Sequence, residues 1–254
     1  MLTPSYSRYV AIGDSWTEGL GDPDQHRPNG LRGWADRVAE GLAAGRDDFR
    51  YANLAIRGRT IEEIIDQQLA PALDLGPDLL SLQGAGNDLL HLRVDIDALV
   101  ESIDAAVAKA NDVGARVVLF THGVPAAGPF RALRGRIAVF NQLLREVVDN
   151  RGAVLVDNWR LHEATDPRYW DVDRIHPSPF GHHLAAVHVL NTLGVRHDNE
   201  PLALPDPAAL TRRQRLLADV EWARNFAGPW IHRRLTGRSL GDGITAKRPV
   251  LAPI

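Results

Sequence analysis

Residue types that can together perform nucleophilic acyl transfer, a serine and a histidine with an aspartate, stand far apart in this 254-residue chain. Near the start, Tyr9-Val10-Ala11-Ile12-Gly13-Asp14-Ser15-Trp16-Thr17-Glu18-Gly19 is a short apolar run that breaks into Gly-Asp-Ser and continues with helical composition. A strand ending in a tight turn holds the Ser15 hydroxyl at the carboxyl edge of a sheet, and a helix start beyond it directs N–H groups and a positive dipole end toward a developing anion. The plainer reading of the same serine is a helix N-cap. Toward the far end, Asp171-Val172-Asp173-Arg174-Ile175-His176-Pro177 sets Asp173 three residues before His176. Within one turn of a loop, that spacing lets the carboxylate hold one ring nitrogen and fix the tautomer while the other nitrogen takes a proton from a serine.

Acyl transfer also needs donors aimed at the oxyanion. Two intervening segments offer them. Asn53-Leu54-Ala55-Ile56-Arg57-Gly58-Arg59-Thr60 places Gly58, with an unobstructed N–H, just before a helical pattern; Gln83-Gly84-Ala85-Gly86-Asn87-Asp88 places the Asn87 amide after a strand. Each has a structural alternative: Gly58 as a loop residue at positive φ, and Asn87-Asp88 as a cap or turn.

Taken in chain order, the four segments resemble the blocks of the GDSL or SGNH hydrolases. Gly13-Asp14-Ser15 matches the first block, Gly58 the second, Gly86-Asn87-Asp88 the third, and Asp173 with His176-Pro177 the last, a span from about Tyr9 to Leu193. The resemblance implies that Ser15 is the nucleophile and an oxyanion donor through its own N–H. It implies further that the Gly58 N–H and the Asn87 amide complete the hole, that His176 is the base and that Asp173 orients it. Two positions depart from the pattern. Trp16 stands where leucine is frequent, and Ala85 where glycine is usual, with only an ordinary backbone conformation expected at the alanine.

The elements that must position these groups alternate along the chain. Apolar runs at Tyr9 to Ile12, Phe49 to Asn53, Leu79 to Gln83, Arg116 to Phe120 and Val154 to Asp157 read as strands. Helical periodicity fills the gaps: Trp34, Val38 and Leu42; Ile61, Ile64, Ile65, Leu69 and Leu73; Leu99, Ile103 and Val107; Leu133, Ile137, Phe140, Leu144 and Val147. Another helix is expected from about Pro179 through Leu190. The pattern predicts an α/β fold, a three-layer α/β/α domain around a flavodoxin-like, five-stranded parallel sheet of order 2-1-3-4-5. In that order the switch point lies beside strand one, where Ser15 sits, with the Gly58 and Asn87 blocks on the neighbouring strands.

The catalytic domain is expected to occupy residues 1–197 and a C-terminal extension residues 198–254. Asn199 to Pro207 reads as a connector, and Thr211 to Ala227 as a helix whose apolar side, Leu216, Leu217, Val220 and Trp222, docks on the body. Arg233 to Ile254, with Gly237, Gly241, Gly243 and Pro249, shows little periodicity. The extension either borders the active-site mouth or covers a subunit contact, or it is a strap remote from catalysis.

Composition limits the remaining classes. The chain has no cysteine, which excludes thiol catalysis and disulfides and suits a reducing compartment. Without an apolar leader before the first strand or a run of membrane-spanning length, a cytoplasmic location is expected. A net charge of −3 gives no electrostatic reason to expect nucleic acid. No cofactor is expected: Gly19-Leu20-Gly21-Asp22-Pro23 lacks the Lys and Ser/Thr of a phosphate-binding loop. No metal is expected either, since His183 and His188 share a helix face poorly. The partner is then a small-molecule ester, with the oligomeric state undetermined.

The expected activity is hydrolysis of carboxylic esters through a Ser-His-Asp triad and an acyl-enzyme. Trp16, Ile56, Leu89 and Ile175, neighbours of the catalytic residues, are expected to line the pocket. Trp16 beside the nucleophile shortens the acyl slot and favours acetyl or other short acyl groups. Arg134 or Arg136 is a candidate contact for an anionic substrate group. The alternatives are O-acyl transfer by the same residues and a catalytically silent ligand-binding module of the same fold.

Overall fold

The five β-rich runs become strands within a residue or two of their expected limits. In the computed structural model, which describes residues 5–254 except 92, 124–128, 201, 208, 209 and 237, they are β1 (Arg8–Gly13), β2 (Arg50–Asn53), β3 (Leu79–Gln83), β4 (Arg116–Phe120) and β5 (Val154–Val156). They pair in parallel in the order 2-1-3-4-5. The expected sheet of five is corrected to six. A further strand, β6 (Arg248–Ala252), runs antiparallel along β2 and closes that edge. It comes from the tail expected to be irregular. Pro249 within it hid the strand signal, yet an outermost strand tolerates the missing N–H because one of its sides has no ladder to feed.

Ten α-helical segments connect or flank the strands among the described residues: α1 (Ser15–Glu18), α2 (Gly33–Ala43), α3 (Ile61–Ile64), α4 (Ala70–Asp74), α5 (Gly86–Leu89), α6 (Ile96–Asp112), α7 (Arg134–Arg151), α8 (Pro179–Thr192), α9 (Arg212–Trp222) and α10 (Gly228–Leu235). Alternate residues of β1 feed two cores, as the pleat dictates. Val10 and Ile12 pack with Ile61, Ile64, Ile103, Phe140 and Leu144 on one face, while Tyr9 and Ala11 pack with Trp34, Val38, Phe120 and Leu190 on the other. The central strands are therefore buried on both faces, which is why their sequences are continuously apolar.

Two π-helical turns interrupt the helices, Ile65–Leu69 between α3 and α4 and Ala223–Ala227 between α9 and α10. The second carries the C-terminal helix past Gly228-Pro229, where the expectation ended it at Ala227. A widened turn before a proline accommodates the ring that would otherwise clash with the preceding turn. The apolar side expected to dock also differs. Leu216, Leu217 and Val220 are exposed, and α9 meets the body through Trp222 and Asp219. No helix among the described residues is long and apolar enough to cross a membrane.

Candidate active site

Strand β1 delivers Ser15 to the middle of the carboxyl edge, between β2 and β3. A Cβ on Gly13 would stand 2.2 Å from the Gln83 carbonyl, so glycine lets the ends of β1 and β3 approach this closely. The π-turn after α3 swings Gln68 into the core, where its amide takes both backbone groups of Gly13. The Gly13 N–H donates to Oε1 at 2.8 Å, and Nε2 donates to the Gly13 carbonyl at 3.0 Å. Asp14, not Ser15, is the N-cap of α1, accepting from the Trp16 N–H at 3.1 Å. The capping alternative for Ser15 is thereby excluded, and its hydroxyl is left for other partners. Because α1 is a single turn, it brings local N–H groups to the site, not the dipole of a long helix.

The Ser15 Oγ lies 2.8 Å from Nε2 of His176, and both residues are buried, at 8% and 7% exposure. On the other side of the ring, Nδ1 faces Asp173 Oδ2 at 2.5 Å. The second carboxylate oxygen accepts the backbone N–H groups of Ile175 and His176, each at 2.9 Å. One aspartate thus shapes the loop and orients the ring. Burial alone would raise the Asp173 carboxyl, but the hydrogen bonds and charge of His176 hold it below the ordinary carboxylate range. The loop is closed by the Asp171 N–H to the His176 carbonyl at 2.8 Å and the Ser178 N–H to the Tyr169 carbonyl at 2.9 Å. Arg174, at its tip, adopts a left-handed φ of 60°.

Gly58 and Asn87 come to the same crevice. Gly58 has φ +77°, a conformation that suits glycine. Its loop is pinned to α1 by Glu18, a fully buried carboxylate that accepts the Arg57 backbone N–H at 2.8 Å and pairs with the Arg57 guanidinium. The Asn87 amide donates to the Arg59 carbonyl at 3.0 Å, fixing the side chain between the second and third blocks. Asp88 accepts the Ile61 N–H at 3.1 Å and ties α5 to the start of α3; burial raises its carboxyl to about 6. Ala85 corrects the expectation of an ordinary backbone. It stands at φ 77°, keeping the left-handed turn of the position despite carrying a Cβ.

A pocket of about 600 Å³ opens over these residues. Trp16, Leu89 and Ile175 line it as expected, and Ile56 does not; its Cγ2 packs instead beneath Gly241 of the C-terminal segment. Arg134 and Arg136 are also turned elsewhere, the former stacked 4.7 Å over the Trp159 ring, the latter donating to the His91 carbonyl. Part of the wall comes from residues no local motif marks: Phe226, Arg233, Arg238 and Leu240 of the extension, with His122 and Trp170. Trp16 is held by its indole N–H, which donates to the Ile175 carbonyl at 3.2 Å, and by an edge-on contact with Trp170. His182, next to the His183 set aside as a metal ligand, is buried between the Trp34 N–H and the Leu20 carbonyl.

Comparison with solved structures finds the same fold at low identity. The acetylxylan esterase Axe2 from Geobacillus stearothermophilus superposes with a TM-score of 0.65 at 19% identity, over 77% of this chain and 98% of its own. LAE5, an alpha/beta hydrolase enzyme from the metagenome of Lake Arreo, Spain, gives 0.62 at 24%, over 74% and 95%. TesA gives 0.62 at 24%, over 74% and 98%. No curated protein matches the sequence. The model of the GDSL-like Lipase/Acylhydrolase family matches residues 11–184, from within β1 into α8. The chain belongs to that family and is a carboxylic ester hydrolase.

Proposed function

We propose that the protein hydrolyses esters of short acyl groups, acetyl esters above all, with Ser15 as nucleophile, His176 as general base and Asp173 as the orienting carboxylate. The observation that carries this reading is the unbroken chain from Ser15 Oγ through both nitrogens of His176 to Asp173. With Nδ1–H donated to Asp173, the ring presents an unprotonated Nε2 to the serine. His176 takes the hydroxyl proton as Oγ attacks the acyl carbon, and Asp173 stabilises the imidazolium formed. The tetrahedral oxyanion is received by the N–H groups of Ser15 and Gly58 and by the Asn87 amide. His176 then protonates the departing alcohol, and a water activated by the same nitrogen releases the acid from the acyl-enzyme. The fixed indole of Trp16 limits the acyl slot.

The test is hydrolysis of 4-nitrophenyl acetate, butyrate and octanoate, with labelling by a fluorophosphonate probe. Ser15→Ala is expected to abolish labelling and to lower kcat on the order of 10⁴-fold or more. The wild type should favour acetate. Undiminished turnover in Ser15→Ala would overturn the assignment, and rates climbing steadily to octanoate would overturn the short-acyl preference.

A further inference from the structure

We infer that Arg233 and Arg238 form a cationic subsite selecting acyl esters whose alcohol half carries a carboxylate or phosphate. The inference deepens the reading above and rests on it. Both arginines line the pocket that holds Ser15 and His176. Several of the chain's other guanidinium groups are spent on carboxylates: Arg37 on Asp22, Arg57 on Glu18, Arg145 on Asp157, Arg151 on Asp104 and Arg168 on Asp166. Among the described residues, Arg233 and Arg238 have no such partner.

The acidic groups of the pocket do not fill that role. Asp173 is engaged by His176 and two backbone N–H groups, and Asp14 is buried under the Trp16 N–H. Arg174, the third arginine of the lining, is already paired with Asp219 at 2.7 Å. Two guanidinium groups without a carboxylate partner in the lining of one largely apolar pocket supply the planar donors that suit a carboxylate or a phosphate.

The wall that bears them is anchored on both sides. Upstream, the Trp222 indole N–H donates to the Asp173 carbonyl at 2.7 Å, and Arg174 lies 5.2 Å over the same ring. Downstream, Gly241 packs on the Arg57 carbonyl so closely that a Cβ would come within 2.3 Å, and Lys247 is buried against Asp36. About three quarters of this chain accounts for nearly all of the Axe2 and TesA chains, so the remaining quarter lies outside the shared fold. With a short acyl group against Trp16, a charge reaching this wall belongs to the alcohol.

The test compares matched acetyl esters. One pair is 4-acetoxybenzoate and 4-acetoxybenzamide; the other is 4-acetoxyphenyl phosphate and its dimethyl ester. The wild type is expected to favour at least one anionic member by about tenfold in kcat/KM at low salt, through KM, with the advantage shrinking as salt rises. The pair that shows it distinguishes carboxylate from phosphate. Arg233→Gln with Arg238→Gln should abolish the ratio, Arg238→Glu should invert it, and Arg238→Lys should restore part of it. Because the readout is a ratio within one folded sample, a general loss of activity does not imitate the result. Turnover of the neutral esters with no anionic preference, or a preference surviving in the double glutamine variant, overturns the subsite and leaves the hydrolase reading intact. No turnover of any ester, with no fluorophosphonate labelling, removes both.

Discussion

At the residue scale, the site is built from side chains that hold backbone rather than substrate. Asp173 was visible in the sequence because three residues of spacing suffice to reach a histidine ring; its second task, closing its own loop, needed the backbone to be seen. Asp14 is the plainest case of a residue whose neighbours decide its chemistry. Buried beside Ser15, it is pushed up to about 7 from an ordinary 3.8, burial outweighing the Trp16 N–H and the nearby His176. A carboxyl with a raised folded value contributes stability in full below the unfolded value and loses it as pH rises through the folded one. Here that window runs from about 4 to about 7, and ionising Asp14 costs up to about 4 kcal/mol on the alkaline side. Asp14→Asn keeps an oxygen for the Trp16 N–H and has no proton to lose. Its melting temperature should therefore exceed that of the wild type by a margin that grows from about pH 4 to about pH 7 and levels off above it. A margin independent of pH would show that Asp14 does not titrate in this range.

At the element scale, the five parallel strands were legible because periodicity and Gly punctuation are local signals. The π-turn at Ile65–Leu69 was not, since Ile61, Ile64, Ile65, Leu69 and Leu73 fit a regular helix equally well. Only the fold reveals that Gln68 is needed inside to satisfy the end of β1. Nor was the Glu18–Arg57 pair legible, because 39 residues separate partners that meet only when β1 and β2 lie side by side. That pair is the brace between α1 and the Gly58 loop. Arg57→Ala would leave a fully buried carboxylate facing one backbone N–H, and a buried charge stripped of its partner costs about 3 kcal/mol or more. The loop should also relax away from Ser15, lowering kcat for acetate esters more than it raises KM, as expected when a donor acts chiefly in the transition state. Urea unfolding and steady-state kinetics on the same preparation check both. Stability within 0.5 kcal/mol of the wild type, a bound of about the size typical of neutral surface changes, would mean that the brace is ornamental.

At the scale of the whole molecule, the chain walls the pocket over Ser15 and His176 by returning to the sheet. The family fold ends near α8, and the extension then crosses the pocket mouth before laying β6 along β2. Sequence reasoning left the role of this segment open for a physical reason. Its fixed points are long-range contacts, Trp222 in the helix at one end and Lys247 in the aperiodic tail at the other, and neither partner is local in sequence. Lys247 is buried 2.9 Å from Asp36, donating also to the Arg32 carbonyl at 2.6 Å, while Asp36 accepts the Tyr51 hydroxyl at 2.9 Å. Desolvation pushes the two groups toward neutrality, Asp36 upward and Lys247 downward, each opposed by the other's charge. A pair in this position holds a terminus in register more than it adds stability, because its attraction is offset by the water both partners have lost. Lys247→Met should accordingly destabilise the protein by about 3 kcal/mol, through the orphaned carboxylate, and raise KM as Ser239 and Leu240 lose their hold over the pocket. Adding Asp36→Leu should recover most of the stability, with no charge left to strand, but not the KM, since the tail has no clamp in either variant. Recovery of KM along with stability would show that the wall over the site stands without this anchor.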